Sequence, residues 1–428
     1  MGNQNTQQLS DAVYKTLKKR RGGESPNDIV VLESQLSGHP ESISTYIAAF
    51  PKKRLVIQGR LSRCYEYGRI KSFENKPWDI FKRFRQESEW LFGFIGYDMK
   101  NNIHSITSTN KSMYNAPDLY MMEPSVLFKI ENDSIEQILG ETIDIGLDSE
   151  INVDCIVRDV VPRISKDDYI TTVRKIKDYI KEGDFYELNY SYPFTAGFSG
   201  DSFALYKKMR AVNPVPFGSF IELDDVSICC FSPERFLKNS GGHLLSEPIK
   251  GTSGRSTDPV TDERLRNELK NAKNEAENLM IVDLVRHDLS RVSKPGSIRV
   301  SKLYDIQTFD TVHQLISRIE GEMMVNTDPV EVIKACFPMG SMTGAPKLEV
   351  MKHIEDLECY KRGIYSGSIG YFTPDGDFDF NVVIRTAIIQ GNSLTYPAGG
   401  AITGDSDPYE EWNETLIKAR NLTSLIPS

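Results

Sequence analysis

Turns too short to join anything but neighbouring antiparallel strands punctuate the second half of this chain, and they restrict its fold more than any other feature. Ser219–Cys230 and His243–Lys250 read as strands around Asp224-Asp225 and Ser240-Gly241-Gly242 turns, and Tyr365–Phe372, Phe378–Ile389 and Ser393–Ala398 form a later meander. The sheets are therefore expected to be substantially antiparallel. Helical patterns stand between them. Asp167–Lys181 carries Tyr169, Val173, Ile176 and Ile180 at helical spacing, with Gly183 as its stop. Glu263–Leu289 reads as the strongest helix, with Leu265, Leu269, Ala272, Ala276 and Leu279 along one stripe. Another starts after Asp407, where the Asp cap, Pro408 and Glu410 make a start signature, with Trp412, Leu416 and Ala419 as its packing face.

At 428 residues the chain exceeds the roughly 250–300 at which single cores stop growing, so one large elaborated fold or two domains are the options. Before Glu141, short strand-like runs such as Ile29–Leu32 and Leu55–Gln58 alternate with polar stretches, among them Asn101–Asn115. Acidic residues and Pro162 interrupt the apolar pattern between Glu141 and Asp167. That places a division near residue 160, between an N-terminal region of 1–160 and a better-patterned 161–428.

Apolar residues at 39% and charged residues at 26% are ordinary for a globular protein. A formal charge of −9 argues against nucleic-acid binding, because neutralising phosphates takes a basic face. The longest basic run, Lys18-Lys19-Arg20-Arg21, reads as a solvated helix end. Cys64, Cys155, Cys229, Cys230, Cys336 and Cys359 lack CxxC spacing and are expected as reduced thiols in a cytoplasmic protein. No run approaches the roughly 18–20 consecutive apolar residues of a membrane span, and the polar start lacks a signal-peptide core, so no membrane association is expected.

Several residues invite chemistry, each with a plainer alternative. Glu411 and Glu414 share one helix face, which fits a solvated acidic face beside a helix N-terminus or half of a magnesium site. Glu277 stands where charge gives way to apolar sequence, as an active-site edge or a salt-bridged helix residue. Lys250 ends a strand and is followed by Gly251-Thr252-Ser253-Gly254, where glycine lets backbone approach a ligand, although an exposed lysine fits the same pattern. Gly399 and Gly400 can offer N–H groups to an anion or form a plain turn. Arg385, inside the strand Asn381–Ile389, wants a carboxylate partner in bidentate geometry. His313 fits a satisfied core histidine as well as a functional one. No Cys-His-Glu arrangement, P-loop or GxGxxG appears, so the chain is not expected to hydrolyse glutamine itself.

Taken together, the sequence resembles the chorismate-binding enzymes. The likeness runs through Gly183-Asp184-Phe185-Tyr186-Glu187-Leu188-Asn189, Ser232-Pro233-Glu234-Arg235-Phe236, Pro248–Thr252, Ala276–Val292, Gly340–Lys347, Gly363–Tyr371 and Ala398–Ala419. Leu32-Glu33-Ser34 and Gly93-Phe94-Ile95-Gly96-Tyr97-Asp98 are similar to the family's N-terminal region. The resemblance implies an α+β fold of two packed, mainly antiparallel β-sheets flanked by helices, holding chorismate beside Mg2+. It implies metal ligation by Glu277 and Glu414, with Glu411 acting through a metal-bound water. Arg385 and Tyr365 would hold the enolpyruvyl carboxylate, Gly399, Gly400 and Ala401 would supply backbone donors, and Gly251, Thr252 and Ser341 would line the pocket. His313 matches the family's active-site histidine.

Lys250 points to the branch of aminodeoxychorismate synthase component I, since anthranilate synthases are expected to show alanine there. That branch implies a magnesium-dependent chorismate aminase serving folate synthesis. In the mechanism this implies, Lys250 would attack C2 while Glu234 protonates the departing 4-hydroxyl, and ammonia would then enter at C4 and displace the lysine, with net retention. The ammonia is expected from a separate glutamine amidotransferase subunit. The alternatives are anthranilate synthase component I and a catalytically weak regulatory or amidotransferase-binding relative. Asn274 replaces an acidic residue usual in the family, which implies weaker magnesium binding. Glu187 stands where the resemblance implies glutamine in many amine-forming relatives and a water-activating lysine in isochorismate-type ones, and the absence of lysine argues against water as nucleophile. Leu32-Glu33-Ser34 borders a tryptophan site in feedback-inhibited relatives.

Overall fold

Two long strands, Thr45–Gln58 and Leu119–Glu131, pair antiparallel through nearly their whole length and run through both sheets of the molecule. Their bend has a local cause. Pro51 faces Pro124, neither of which can donate to a ladder, and Lys52 is inserted before Lys53 resumes pairing with Glu123. Phe50 turns the corner at a left-handed φ of 57°. The computed structural model describes residues 2–20, 27–35, 44–66, 68–146, 154–309 and 312–425.

From the near half of this pair the first sheet continues through Ile29–Glu33, Phe217–Glu222, Ser227–Ser232, Thr386–Gln390, Ser393–Ile402, Glu187–Gly200 and Cys155–Pro162. From the far half the second sheet continues through Leu91–Ile95, Ser368–Phe372, Phe378–Asn381, Arg235–Ser240, His243–Glu247 and Val312–Glu322, which also pairs with Ile249–Gly254 and Arg299–Thr308. Every one of these pairings is antiparallel, as the turns require. Strands from residues 1–160 pair with strands from 161–428 in both sheets, Ile29–Glu33 with Phe217–Glu222 and Leu91–Ile95 with Ser368–Phe372.

Alternation along each strand divides the core into three layers. Val30, Ala48, Phe92, Phe94, Ile228 and Ile388 meet between the sheets. The neighbouring residues Ile29, Val31 and Ile47 face helices Gly2–Lys19, Ser202–Val212 and others on the first sheet. Leu91, Ile95, Leu119 and Met121 face helices Pro77–Gln86, Ala272–Ser290 and Pro329–Cys336 on the second.

The capped helices form where their sequence signals lie. Lys166–Glu182 stops at Gly183, φ 91°, and Pro408–Thr423 starts at Asp407, whose carboxylate accepts from the Tyr409 and Glu410 N–H groups. On the latter helix Trp412 and Ala419 are buried as expected, but Leu416 is 38% exposed and Thr415 takes the inner position. The expected helix Glu263–Leu289 is two helices, Pro259–Asn267 and Ala272–Ser290, and of its expected apolar stripe only Leu269 is buried. Asn271 caps the second helix by accepting from the Asn274 N–H, and tertiary packing turns Glu277, Asn278, Ile281 and Val282 inward while Leu279 stays 45% exposed. Of the basic run, Lys18 is ion-paired with Asp201 and Glu222, and Arg21 lies outside the described residues.

Phe92 is fully buried between the sheets, so Phe92→Ala is expected to lose about 3–5 kcal/mol of stability in urea unfolding. Ile70→Ala, at a site 60% exposed, is expected to change stability by less than about 0.5 kcal/mol.

Candidate active site

Apart from the two long bent strands, two short crossings among the described residues carry the chain directly from a strand of one sheet to a strand of the other, and both hold a charged residue that the sequence singles out. The first is Pro233-Glu234, between Ser227–Ser232 and Arg235–Ser240. Arg235 anchors this crossing through ion pairs to Glu247 and Asp379 on the two flanking strands. The adjacent Glu234 is buried, and its Oε1 accepts a 2.7 Å bond from the Ser341 hydroxyl. Burial pushes the Glu234 carboxyl up to about 7, against the opposing pull of the Ser341 hydrogen bond, Lys250 and Arg385.

The second crossing is Val382–Arg385, between Phe378–Asn381 and Thr386–Gln390. The sequence reads this whole stretch as one strand with Arg385 inside it. Instead the strand breaks, because its two ends belong to different sheets, and Arg385 takes a left-handed φ of 51°. Among the described residues its guanidinium has no hydrogen bond or ion pair, and burial lowers its pKa despite Tyr396 and Glu234 nearby. A part-buried cation without a partner is a receptor for an anion.

Lys250 approaches from the second sheet. A bulge between Ile249 and Thr252, with Gly251 at φ 83°, aims it into the cleft. Its Nζ lies 2.9 Å from Glu187 Oε1, on the first sheet, and 3.4 Å from Glu277 Oε2, on the helix Ala272–Ser290. Burial opposes the ammonium charge, but Glu187 and Glu277 outweigh it and hold its pKa above the ordinary value. Glu187 Oε2 and Glu277 Oε1 are buried without a hydrogen-bond partner among the described residues. Burial also raises the Glu277 pKa, against Lys250.

The remaining carboxylates sit on Pro408–Thr423. Glu411 is buried, and its Oε1 accepts from Ser406 Oγ at 2.7 Å and Lys273 Nζ at 3.2 Å. Glu414 pairs with Lys418 at 2.6 Å, and Lys418 holds its carboxyl below the usual range. A Cβ on Gly400 would come within 3.4 Å of Glu411 and 3.6 Å of Glu414, so this glycine lets the strand lie against both carboxylates. Lys273, bonded to Glu411, also feels the charges of Glu277 and Glu414, and together these raise its pKa against burial. Hard oxygen donors and the orphaned Glu277 Oε1 suit magnesium, although no three acidic, histidine or cysteine side chains among the described residues are close enough to share an ion. The lysines hold the acids in this structure.

Asn274 has a positive use here. Its Nδ2 donates to the Leu269 carbonyl across the helix break, a bond that an aspartate could not make, and it packs against Gly251. Lys273 and Lys418 were not singled out by the sequence reading, yet each lies four residues from an acid of the site, Glu277 and Glu414, a spacing that pairs charges on a helix.

Other sequence candidates lie further out. Gly399, Gly400 and Ala401 form a strand paired to Asn189–Ser191, not a turn, and Lys418 donates to the Gly399 carbonyl. Tyr365 is buried and shares the neighbour Tyr396 with Arg385. Thr252 is exposed on the strand beside Gln314. His313 is buried with both ring nitrogens engaged, 2.9 Å from Thr308 Oγ1 and 3.1 Å from Asp262, which Arg255 and the Ser256 N–H hold well below the usual carboxylate range. Ser34 lines a separate cavity of about 170 Å3 with Glu33, Tyr46, Phe217 and Lys238.

The sequence model of the chorismate binding enzymes matches residues 46–424. A probable chloroplastic aminodeoxychorismate synthase of Oryza sativa subsp. japonica is 41% identical over 336 residues, covering 77% of this chain and 36% of that protein. Aminodeoxychorismate synthase component 1 of Bacillus subtilis is 35% identical over 351 residues, covering 76% of this chain and 74% of that one. The chain spans 29–38% of the length of the first curated relatives it matches. The crystal structure of anthranilate synthase component I from Streptococcus pneumoniae aligns with a TM-score of 0.79 at 25% identity, over 95% of this chain and 96% of that one. With its two-sheet fold matched almost end to end and its sequence matched from residue 46 to 424, this chain belongs to the chorismate binding enzyme family.

Proposed function

We propose that this chain aminates chorismate, taking chorismate and ammonia to 4-amino-4-deoxychorismate as an aminodeoxychorismate synthase component I. The observation that carries the reading is Lys250, set between two carboxylates in the cleft that Glu234 borders. A lysine attacks only as the free amine, and Glu187 Oε1, the nearer acceptor at 2.9 Å, can take its proton. The Nζ–C2 bond then forms as the C4–O bond breaks, and the hydroxyl leaves as water with a proton from Glu234. Burial keeps that proton on Glu234 up to about pH 7.

Arg385 would pair with the enolpyruvyl carboxylate beside Tyr365, while Gly251, Thr252, Ser341 and the strand Gly399–Ala401 would line the pocket. His313 would act from the orientation that Thr308 and Asp262 give it. Glu277 and Glu414 would hold magnesium, with Glu411 acting through water, and the bound ion would supply positive charge for the ring carboxylate. Ammonia would come from a glutamine amidotransferase subunit. All six cysteines are free, which supports a reducing compartment such as a cytoplasm. Among the described residues no helix is long and apolar enough to cross a membrane.

The structural likeness to the Streptococcus pneumoniae anthranilate synthase favours a second reading, anthranilate synthase component I. Incubation with chorismate, magnesium and an ammonium salt decides between them: mass spectrometry is expected to find 4-amino-4-deoxychorismate, and direct formation of fluorescent anthranilate would overturn the first reading. Lys250→Ala is expected to lose or divert amination, whereas unchanged product and rate would refute a covalent lysine.

Because only protonated Glu234 can donate, kcat/KM for chorismate is expected to fall as pH rises through about 7. Glu234→Gln should abolish that alkaline limb and lower kcat by roughly 10²–10⁴. The Ser341 hydrogen bond lowers the Glu234 pKa, so Ser341→Ala should move the limb to higher pH. A pH–rate profile with an unmoved limb would dissociate it from Glu234.

A further inference from the structure

We propose that the small apolar cavity beneath Glu234 and Ser341 is the subsite where ammonia waits as the neutral molecule. This rests on the amination reading above, and it gives that reaction's second substrate a location. The cavity has a volume of about 20 Å3 and is bordered by Phe236, Ile281, Val285, Leu289 and Met339, and by Glu234 and Ser341, whose side chains are hydrogen-bonded to each other. A site of that volume accommodates one molecule the size of water, since about 10–15 Å3 suffices. Chorismate cannot enter it.

The character of its walls selects the occupant. Arg235 and Asp288 border the cavity, but their charges are engaged elsewhere, Arg235 with Glu247 and Asp379, and Asp288 with Arg291 at 2.8 Å and Lys347 at 2.5 Å. Carbon surface dominates the rest. An ammonium ion entering such a space would lose its hydration without gaining a counter-ion beyond Glu234, whereas NH3 enters uncharged and is already the nucleophile. Water seeks two to four polar partners, and beyond Glu234 and Ser341 the polar side chains of the lining are engaged elsewhere, Ser246 with the Phe236 carbonyl and Arg235 and Asp288 in their ion pairs.

Position agrees with stereochemistry. Replacement of the 4-hydroxyl with net retention brings ammonia to C4 on the face from which the hydroxyl departed, which is the face Glu234 serves as acid. The ammonia lone pair forms the C4–N bond, the ring electrons shift, and the C2–N bond to Lys250 breaks. The lysine takes that electron pair, and the new C4 ammonium gives one proton to the Glu234 carboxylate left by the first step. Glu234 thereby regains the proton it had donated, which requires ammonia to lie against it.

Val285, on the helix Ala272–Ser290, is the part-exposed apolar residue of the lining, so it can be enlarged without overfilling the core. With ammonium chloride as nitrogen source and saturating magnesium and chorismate, Val285→Phe is expected to raise the KM for ammonium about tenfold and Val285→Met by less, while the KM for chorismate is unchanged. The wild-type KM for total ammonium should fall as pH rises, in step with the fraction present as NH3. If Val285→Phe does not fold, Val285→Met decides alone. A folded variant with wild-type KM for ammonium, or a KM indifferent to pH, would overturn the cavity while leaving the amination standing. A wild type that forms no aminated product would overturn the amination, and the cavity's role with it.

Discussion

The architecture depends on chain segments that change sheets. Thr45–Gln58 and Leu119–Glu131 do so by bending at Pro51 and Pro124, and Glu234 and Arg385 mark the two places where the chain does so through a short crossing. Without these passages the helix-covered outer faces could still form, but the layer containing Phe92, Phe94 and Ile388 would have no second sheet to close against.

The same constraint supplies the site. Inside a regular strand each side chain is committed to a face and each peptide group to a ladder, so a crossing is where a side chain can leave both. Glu234 and Arg385 point into the seam because their backbone has left the ladders, and Arg235 holds its crossing by binding carboxylates on both neighbouring strands. The Lys250–Glu187 pair then spans the cleft from one sheet to the other. Substrate chemistry is thereby framed by rigid elements on several sides.

Signals that act locally were legible in the sequence. Asp407 with Pro408, and Gly183, mark helix ends through side-chain caps and left-handed backbone, and tight turns mark the hairpins. Choices made by distant packing were not. Leu265 to Leu279 keep helical spacing across a break that Asn271 and Asn274 create, and nothing local says that Glu277 and Asn278, not Ala276 and Leu279, face inward. Phe378–Ile389 alternates like one strand because alternation does not record which sheet a strand joins. Of the site, Lys250, Glu277 and Arg385 were singled out by their chemistry and given roles by the family resemblance, Glu234 was named through the resemblance alone, and Lys273 and Lys418 were hidden as ordinary surface lysines.

The pairing of acids with lysines has an electrostatic consequence. With Glu234 protonated, the carboxylates of Glu187, Glu277, Glu411 and Glu414 are matched by Lys250, Lys273, Lys418 and Arg385, so the cleft at rest is close to neutral. A dicarboxylate entering alone would leave two negative charges unmatched in a partly buried space, and a divalent cation entering alone would leave two positive ones. Entering together they cancel. For the proposed chorismate and magnesium this amounts to thermodynamic coupling: each tightens the other's binding by the same factor, and neither is well held by itself.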